Sequence, residues 1–244
     1  MRTGKVAAMD TRSPPSTSPR SALIAGATGL VGRSLVSLLE ANAAYARVHV
    51  LVRRAVAGIE ANPKLQFHVV DFARLGPSFP QVDDVYIALG TTIKVAGSEA
   101  AFRHVDFDYV LNTARSARDA GARRLAIVSA LGADAGSRVF YNRVKGEMQD
   151  AVAQLGYESL VIAQPSLLIG DRASLGQPTR RGEVLATRLF GPVMNLVPRG
   201  IRPIEASAVA SALVDATLAG APGLRLLSSA KMQAHAARAA HPAH

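Results

Sequence analysis

The chain alternates between short, almost unbroken apolar runs and longer stretches with helical periodicity. SALIAG, from Ser21, is an apolar run that ends in glycine, the pattern of a strand buried on both faces of a parallel sheet. Residues 30–41 then place Leu30, Val31, Leu35, Leu38 and Leu39 on one helical face. Further strands are predicted at about 47–52 (RVHVLV), 66–70 (QFHVV), 84–89 (DVYIAL), 124–129 (RLAIVS) and 158–163 (ESLVIA). Helical segments fill about 98–120, 139–155 and 206–219. Strands that alternate with helices predict an α/β chain, a Rossmann-type doubly wound parallel sheet covered on both faces.

The flanks differ in character. Residues 1–20 are rich in Ser, Thr, Pro and Arg with no apolar core, and read as a disordered leader rather than a secretory signal. The Rossmann domain is expected over 21–169. Residues 170–230 are expected to complete the same domain as a small C-terminal substrate-binding lobe, and 231–244 to be a disordered tail. No apolar stretch approaches the ~18–20 residues needed to span a bilayer, so a cytoplasmic location is expected.

Composition narrows the chemistry. The chain has 244 residues, enough for one sizeable α/β domain. It contains no Cys, which excludes disulfides, thiolate metal sites and cysteine nucleophiles. Its six His form no metal-binding pattern, so no metal is expected. The formal net charge is +10, but the excess lies in the leader, in 170–204 and in the tail. The body is nearly balanced, which argues against a nucleic-acid partner.

Two motifs carry chemistry. GATGLVG, Gly26 to Gly32, lies between the first strand and the first helix. Gly26 permits a tight turn, Gly29 a close backbone approach to a pyrophosphate, and Gly32 close helix-to-sheet packing. Thr28, Leu30 and Val31 offer backbone N–H groups at the helix start. The second strand ends in LVRR. Arg53 and Arg54 stand where an acidic residue would hold the ribose hydroxyls of NAD, and guanidinium pairs suit the 2′-phosphate of NADP(H). Asp71 is placed to accept from an adenine amino group, although an aspartate after a strand is also a common turn residue. Leu89, Gly90, Thr91 and Thr92 would run beside the cofactor, with Thr92 toward the substrate.

The second motif is YNRVK. Tyr141 and Lys145 are four residues apart and share one helical face. Free tyrosine titrates near ~10, and a neighbouring ammonium favours the phenolate. In the reductive direction the phenol would give its proton to a carbonyl oxygen. Ser129, at the end of the fifth strand, is the candidate third group that polarises the substrate, with Ser137 as another.

IAGATGLVG, LVRR, VVDF, ALGTT, FRHVDFDYVL, VSALGAD, FYNRVKGE and QPSLLIGDR occur in the order seen in atypical short-chain dehydrogenases/reductases. Over residues 21–205 the chain resembles the Tat-interacting-protein-like oxidoreductase group, including its bacterial members. The resemblance implies bound NADPH, with Tyr141 and Lys145 catalytic and Thr28 to Val31, Arg53 and Arg54 at the cofactor. It also implies that Pro165, Leu167 and Leu168 flank the nicotinamide and that Arg172 lies near the pocket. Gln164 departs from the arginine that the family often shows there.

The expected activity is reduction of a small carbonyl, or oxidation of the alcohol, by a monomer or homodimer. A non-catalytic, NADPH-responsive regulator that binds a protein partner is the alternative. The basic 170–204 segment, with Arg172, Arg180 and Arg181, is either an anion site for an acidic substrate or a solvated loop.

Overall fold

A computed structural model describes residues 19–55, 62–76, 79–170, 198 and 200–240. Each apolar run forms a strand: β1 (Arg20–Ala25), β2 (Tyr45–Val52), β3 (Leu65–Val69), β4 (Asp84–Ile87), β5 (Arg124–Val128) and β6 (Ser159–Gln164). A two-residue ladder, β7 (Leu168–Ile169) with β8 (Ile204–Glu205), lies outside the main sheet. The helices are α1 (Leu30–Ala41), α2 (Ile93–Ala96), α3 (Glu99–Arg103), α4 (Tyr109–Asp119), α5 (Phe140–Ala153), α6 (Ala206–Leu218) and α7 (Ser229–Ala240). A final strand, β9 (Gly223–Ser228), precedes α7.

The main sheet has seven parallel strands in the order β3-β2-β1-β4-β5-β6-β9. The order reverses between β1 and β4, and the carboxyl ends of strands at such a switch point form the crevice where open α/β sheets bind ligands. Both faces are covered. Leu35 and Leu39 of α1 and Val209 and Leu213 of α6 pack on one side with Ile24 and Val50. Val110 and Ala114 of α4 and Met148 and Val152 of α5 pack on the other with Leu23 and Ile127. Double coverage is why the strands read as continuous apolar runs rather than as alternating ones.

Three features differ from the sequence reading. The predicted helix over 98–120 is broken by a π turn at His104–Asp108 between α3 and α4. The last strand, β9, was not predicted; it adds in parallel to β6, Ser159 opposite Gly223. The expected disordered tail from 231 is corrected over most of its length. Ser229–Ala240 is helical, and Met232 is buried against the α6 face of the core. Ala-rich sequence concealed this helix because one buried methionine, not a repeating apolar stripe, anchors it.

Candidate functional site

Gly26, Arg53, Asp71, Leu89, Ser129 and Pro165, singled out in the sequence, each follow the carboxyl end of a strand of the main sheet. Gly26 follows β1 with φ +93°, and a Cβ there would lie 2.5 Å from the backbone of Ala88 after β4. A Cβ on Gly32 would lie 2.0 Å from the carbonyl oxygen of Gly26. The fold itself therefore demands both glycines. Gly29 is different: a Cβ would meet only the Gly26 carbonyl oxygen, at 3.5 Å, and φ is −84°. Among the described residues nothing requires glycine there, which leaves backbone open to a ligand at the start of α1. Gly29 N–H bonds to Gly26 O, and Arg33 N–H to Gly29 O. The helix geometry leaves the N–H groups of Leu30, Val31 and Gly32 without intrahelical acceptors, at the positive end of the helix. Thr28 is exposed beside them.

Arg53 and Arg54 are exposed at the end of β2, with no ion-pair partner among the described residues. The exposed Asp71 forms a turn after β3. Its Oδ1 accepts from Ala73 N (2.9 Å) and its carbonyl from Arg74 N (3.0 Å). The glycine turn and helix start fit the pyrophosphate of a dinucleotide.

Tyr141 and Lys145 both lie in the first two turns of α5. The Tyr141 ring is half-buried and packs on Phe102 of α3, ring centroids 5.3 Å apart. Lys145 is 4% exposed, and its Nζ lies 2.7 Å from Oδ1 of Asp106, a residue of the π turn with no exposed surface. Asp106 Oδ2 accepts from Thr91 N at 2.9 Å. A Cβ on Gly90 would stand 3.3 Å from Asp106 Oδ1 and 3.8 Å from Lys145 Nζ. Buried Lys145 and Asp106 thus meet exposed Gly90 and half-buried Thr91 in one cluster drawn from three separate segments. Asp106 went unnoticed in the sequence because its neighbours in VDFDYV offer no spacing that marks it; the π turn selects it.

Ser129 is buried at the end of β5. Its Oγ accepts from Gln149 Nε2 (2.6 Å), and Gln149 Oε1 accepts from Gln164 Nε2 (3.1 Å). Gln164 is therefore part of a neutral network joining α5 to β6. Ser137 Oγ accepts from Val139 N at the start of α5 (3.1 Å). Thr92 Oγ1 caps α2 by accepting from Val95 N (3.2 Å), which engages its oxygen in local structure. Leu89 is partly buried beside the core. Pro165 is buried and its carbonyl accepts from Leu131 N (2.8 Å), while Leu167 is 40% exposed and Leu168 pairs with Ile204. Arg172, Arg180 and Arg181 lie outside the described residues. Among the described residues there is no group of His, Asp and Glu suited to a metal, and no helix long and apolar enough to cross a membrane.

Comparison with known proteins shows the family and the fold. A family described as NAD(P)H-binding matches residues 26–164. Protein HTATIP2 of Rattus norvegicus is 35% identical over 176 residues, covering 70% of this chain and 71% of that protein. The mitochondrial protein FMP52 of Candida albicans is 30% identical over 209 residues, 83% of this chain and 90% of that protein. Among solved structures, gox2253 aligns with a TM-score of 0.65 at 19% identity, over 86% of this chain and 70% of that one. WbmG of Bordetella bronchiseptica, solved in complex with NAD, aligns with a TM-score of 0.64 at 14% identity, over 94% and 80%. These two likenesses establish the shared fold.

Proposed function

This chain belongs to the NAD(P)H-binding family, within the atypical short-chain dehydrogenase/reductase group that includes HTATIP2 and FMP52, and from that premise we propose that it is an NADPH-dependent oxidoreductase acting on a small carbonyl or the corresponding alcohol. The observation that carries this reading is the placement of Tyr141 and buried Lys145 at the carboxyl edge of the sheet, beside the loop that follows β4.

The residues divide the work. Gly26, Thr28, Gly29, Leu30, Val31 and Gly32 receive the pyrophosphate, and Arg53 and Arg54 the 2′-phosphate. Asp71 takes the adenine amino group. Leu89, Gly90 and Thr91 line the middle of the cofactor, and Pro165, Leu167 and Leu168 flank the nicotinamide. When bound, the reduced dinucleotide supplies the hydride. Lys145 holds the adjoining ribose through the N–H bonds it does not share with Asp106. Tyr141 gives its phenolic proton to the carbonyl oxygen, with Ser129 as the further hydroxyl. Thr92, Arg172 and Arg180 are assigned to the substrate side.

Titration of the nucleotide-stripped protein with NADPH and with NADH tests the cofactor. NADPH should bind about tenfold or more tightly, and Arg53→Ala should remove the preference. Equal binding of both would return the arginines to the role of surface charges. Tyr141→Phe should cut turnover on any accepted carbonyl by about 100-fold or more while leaving NADPH affinity near that of the parent. Full turnover in that variant would rule out the acid–base role. A cytoplasmic location belongs to the same reading. Fractionation of cells checks it, because the FMP52 relatives carry a mitochondrial name.

A further inference from the structure

Apolar side chains exposed singly are ordinary on a protein surface, whereas a group gathered in one place marks a binding surface. Among the described residues eleven large apolar side chains are exposed, and six of them gather at one edge of the sheet. Ile93 and Val95 follow β4, Leu131 follows β5, and Val139 stands directly before α5. Leu167 follows β6, and Ile201 leads into β8. β4, β5 and β6 are neighbours in the sheet, so their carboxyl ends lie within roughly 10 Å of one another. The connections at the opposite edge, 42–44, 62–64, 82–83, 121–123, 154–158 and 219–222, expose none of this class.

Short paths tie the six to Tyr141 and Lys145. Val139 is the N-cap of α5, two residues before Tyr141, and its carbonyl accepts from Arg143 N (2.9 Å). Thr92 Oγ1 accepts from Val95 N, which holds α2 directly after Thr91, and Thr91 N–H meets Asp106 beside Lys145. α3 follows α2 after two residues and sets Phe102 against Phe140 and Tyr141, ring centroids 6.0 and 5.3 Å apart. Leu131 N donates to the Pro165 carbonyl (2.8 Å) and Ile204 N to the Leu167 carbonyl (2.9 Å), which joins the loops after β5 and β6 to β8.

The polar groups among these loops offer little to a charged ligand. Ser129, Gln149 and Gln164 form a neutral chain among themselves. Asp134 Oδ1 accepts from Gly136 N, and Arg143 donates to the Ser137 carbonyl. Lys94 and Arg138 are exposed, and side chains of their length keep the charge in water while their stems lie along apolar surface.

We propose that Ile93, Val95, Leu131, Val139, Leu167 and Ile201 form the rim of the substrate site and select an uncharged carbonyl compound with an extended apolar body. This rests on the reading of Tyr141 and Lys145 as the reacting end of that site. The apolar body leaves water against the rim while the carbonyl reaches toward Tyr141, so each added methylene contributes to binding.

Unreactive primary amides present a carbonyl without being reduced, and test this by binding alone. Butanamide, hexanamide and octanamide are titrated calorimetrically into the chain loaded with NADPH. Affinity should rise about twofold to fourfold per methylene, so octanamide should bind at least about sixteenfold more tightly than butanamide. Val95 and Val139 are 73% and 58% exposed, so Val95→Ser/Val139→Ser leaves the fold intact. It should weaken octanamide about tenfold and butanamide by less than about twofold. Leu224→Ser/Leu226→Ser, which changes exposed apolar positions on the edge strand β9, should leave the series as it is. A flat series overturns the proposal, as does a loss from the β9 pair equal to that from the rim pair. Tighter binding of octanoate than of octanamide also overturns it, by giving the site to Lys94 and Arg138. A flat series with NADPH bound strikes the rim and spares the functional reading, whereas a chain that binds no NADPH strikes both.

Discussion

Asp84 and Asp106 are both fully buried carboxylates, and the fold treats them in opposite ways. Asp84 opens β4 at the N-terminal edge of the sheet. Its Oδ2 accepts from Tyr45 OH (2.6 Å) and faces Arg20 at 3.5 Å, and its Oδ1 takes Arg124 Nε. Tyr45 OH also meets Tyr86 OH at 2.8 Å. Both oxygens are used, by side chains from the first residues of three strands, β1, β2 and β5. Asp106, at the C-terminal edge, has one aligned donor, Thr91 N–H; its other oxygen faces Lys145 without hydrogen-bond alignment. A saturated network holds strands in register and has nothing left to offer a ligand. A cluster with bonding capacity in reserve can share donors with one. On the proposed function, the first edge serves stability and the second serves chemistry.

Substitution at each edge breaks that contrast in a different observable. Asp84→Ala leaves the Arg124 guanidinium, its side chain 21% exposed, and the buried Tyr45 phenol without their acceptor. Removing one partner of a buried ion pair costs about 3–5 kcal/mol. Urea unfolding should register a loss of that order, while the folded fraction keeps its NADPH affinity. A cost under about 1 kcal/mol would show that the N-terminal edge is not the anchor.

Gly29→Ala should act in reverse. Its backbone is in an ordinary region and a Cβ meets one atom at 3.5 Å, so stability should change by no more than about 1 kcal/mol, the scale of an N-cap change. The added methyl would occupy space where the pyrophosphate approaches the backbone, and NADPH affinity should fall by about tenfold or more. Calorimetric titration alongside thermal unfolding separates the two effects. A stability loss without an affinity loss would place the need for glycine in the fold.

The same contrast explains what could be read from residues alone. GATGLVG announces itself because its constraints are local: a positive φ at Gly26, and one carbonyl crowding Gly32. Tyr141 and Lys145 are legible because helical spacing brings them to one face. Asp106 is not, since its meaning depends on a π turn and on two segments, Gly90–Thr91 and Lys145, that are distant in sequence. Ser129 is visible as a strand-end hydroxyl, but its bond to Gln149 emerges only when α5 packs over β5. β9 escaped because GLRLLS exposes Leu224 and Leu226 and becomes a strand by pairing with β6, more than sixty residues away.

A third polar pair, half-buried and neutral where the other two are charged, gives the comparison its finest test. His49 of β2 is 7% exposed, and its Nδ1 lies 2.9 Å from His68 Nε2 on β3. Burial, then the neighbouring His68 and Arg47, pushes His49 down to about 4, and burial also lowers His68. In the unfolded chain a histidine takes its proton near ~6.5. A neutral His49 therefore stabilises the fold fully above that value, and the contribution is lost as pH falls from about 6.5 toward about 4. Between pH 7 and pH 5.5 the loss should be about 1 kcal/mol, read as a falling urea midpoint, and His49→Gln should flatten it. An equally steep decline in that variant would move the acid sensitivity away from the β2–β3 edge. A flat profile in the parent would mean that water reaches the imidazole pair, and that the sheet keeps its polar groups dry only where charge is paired.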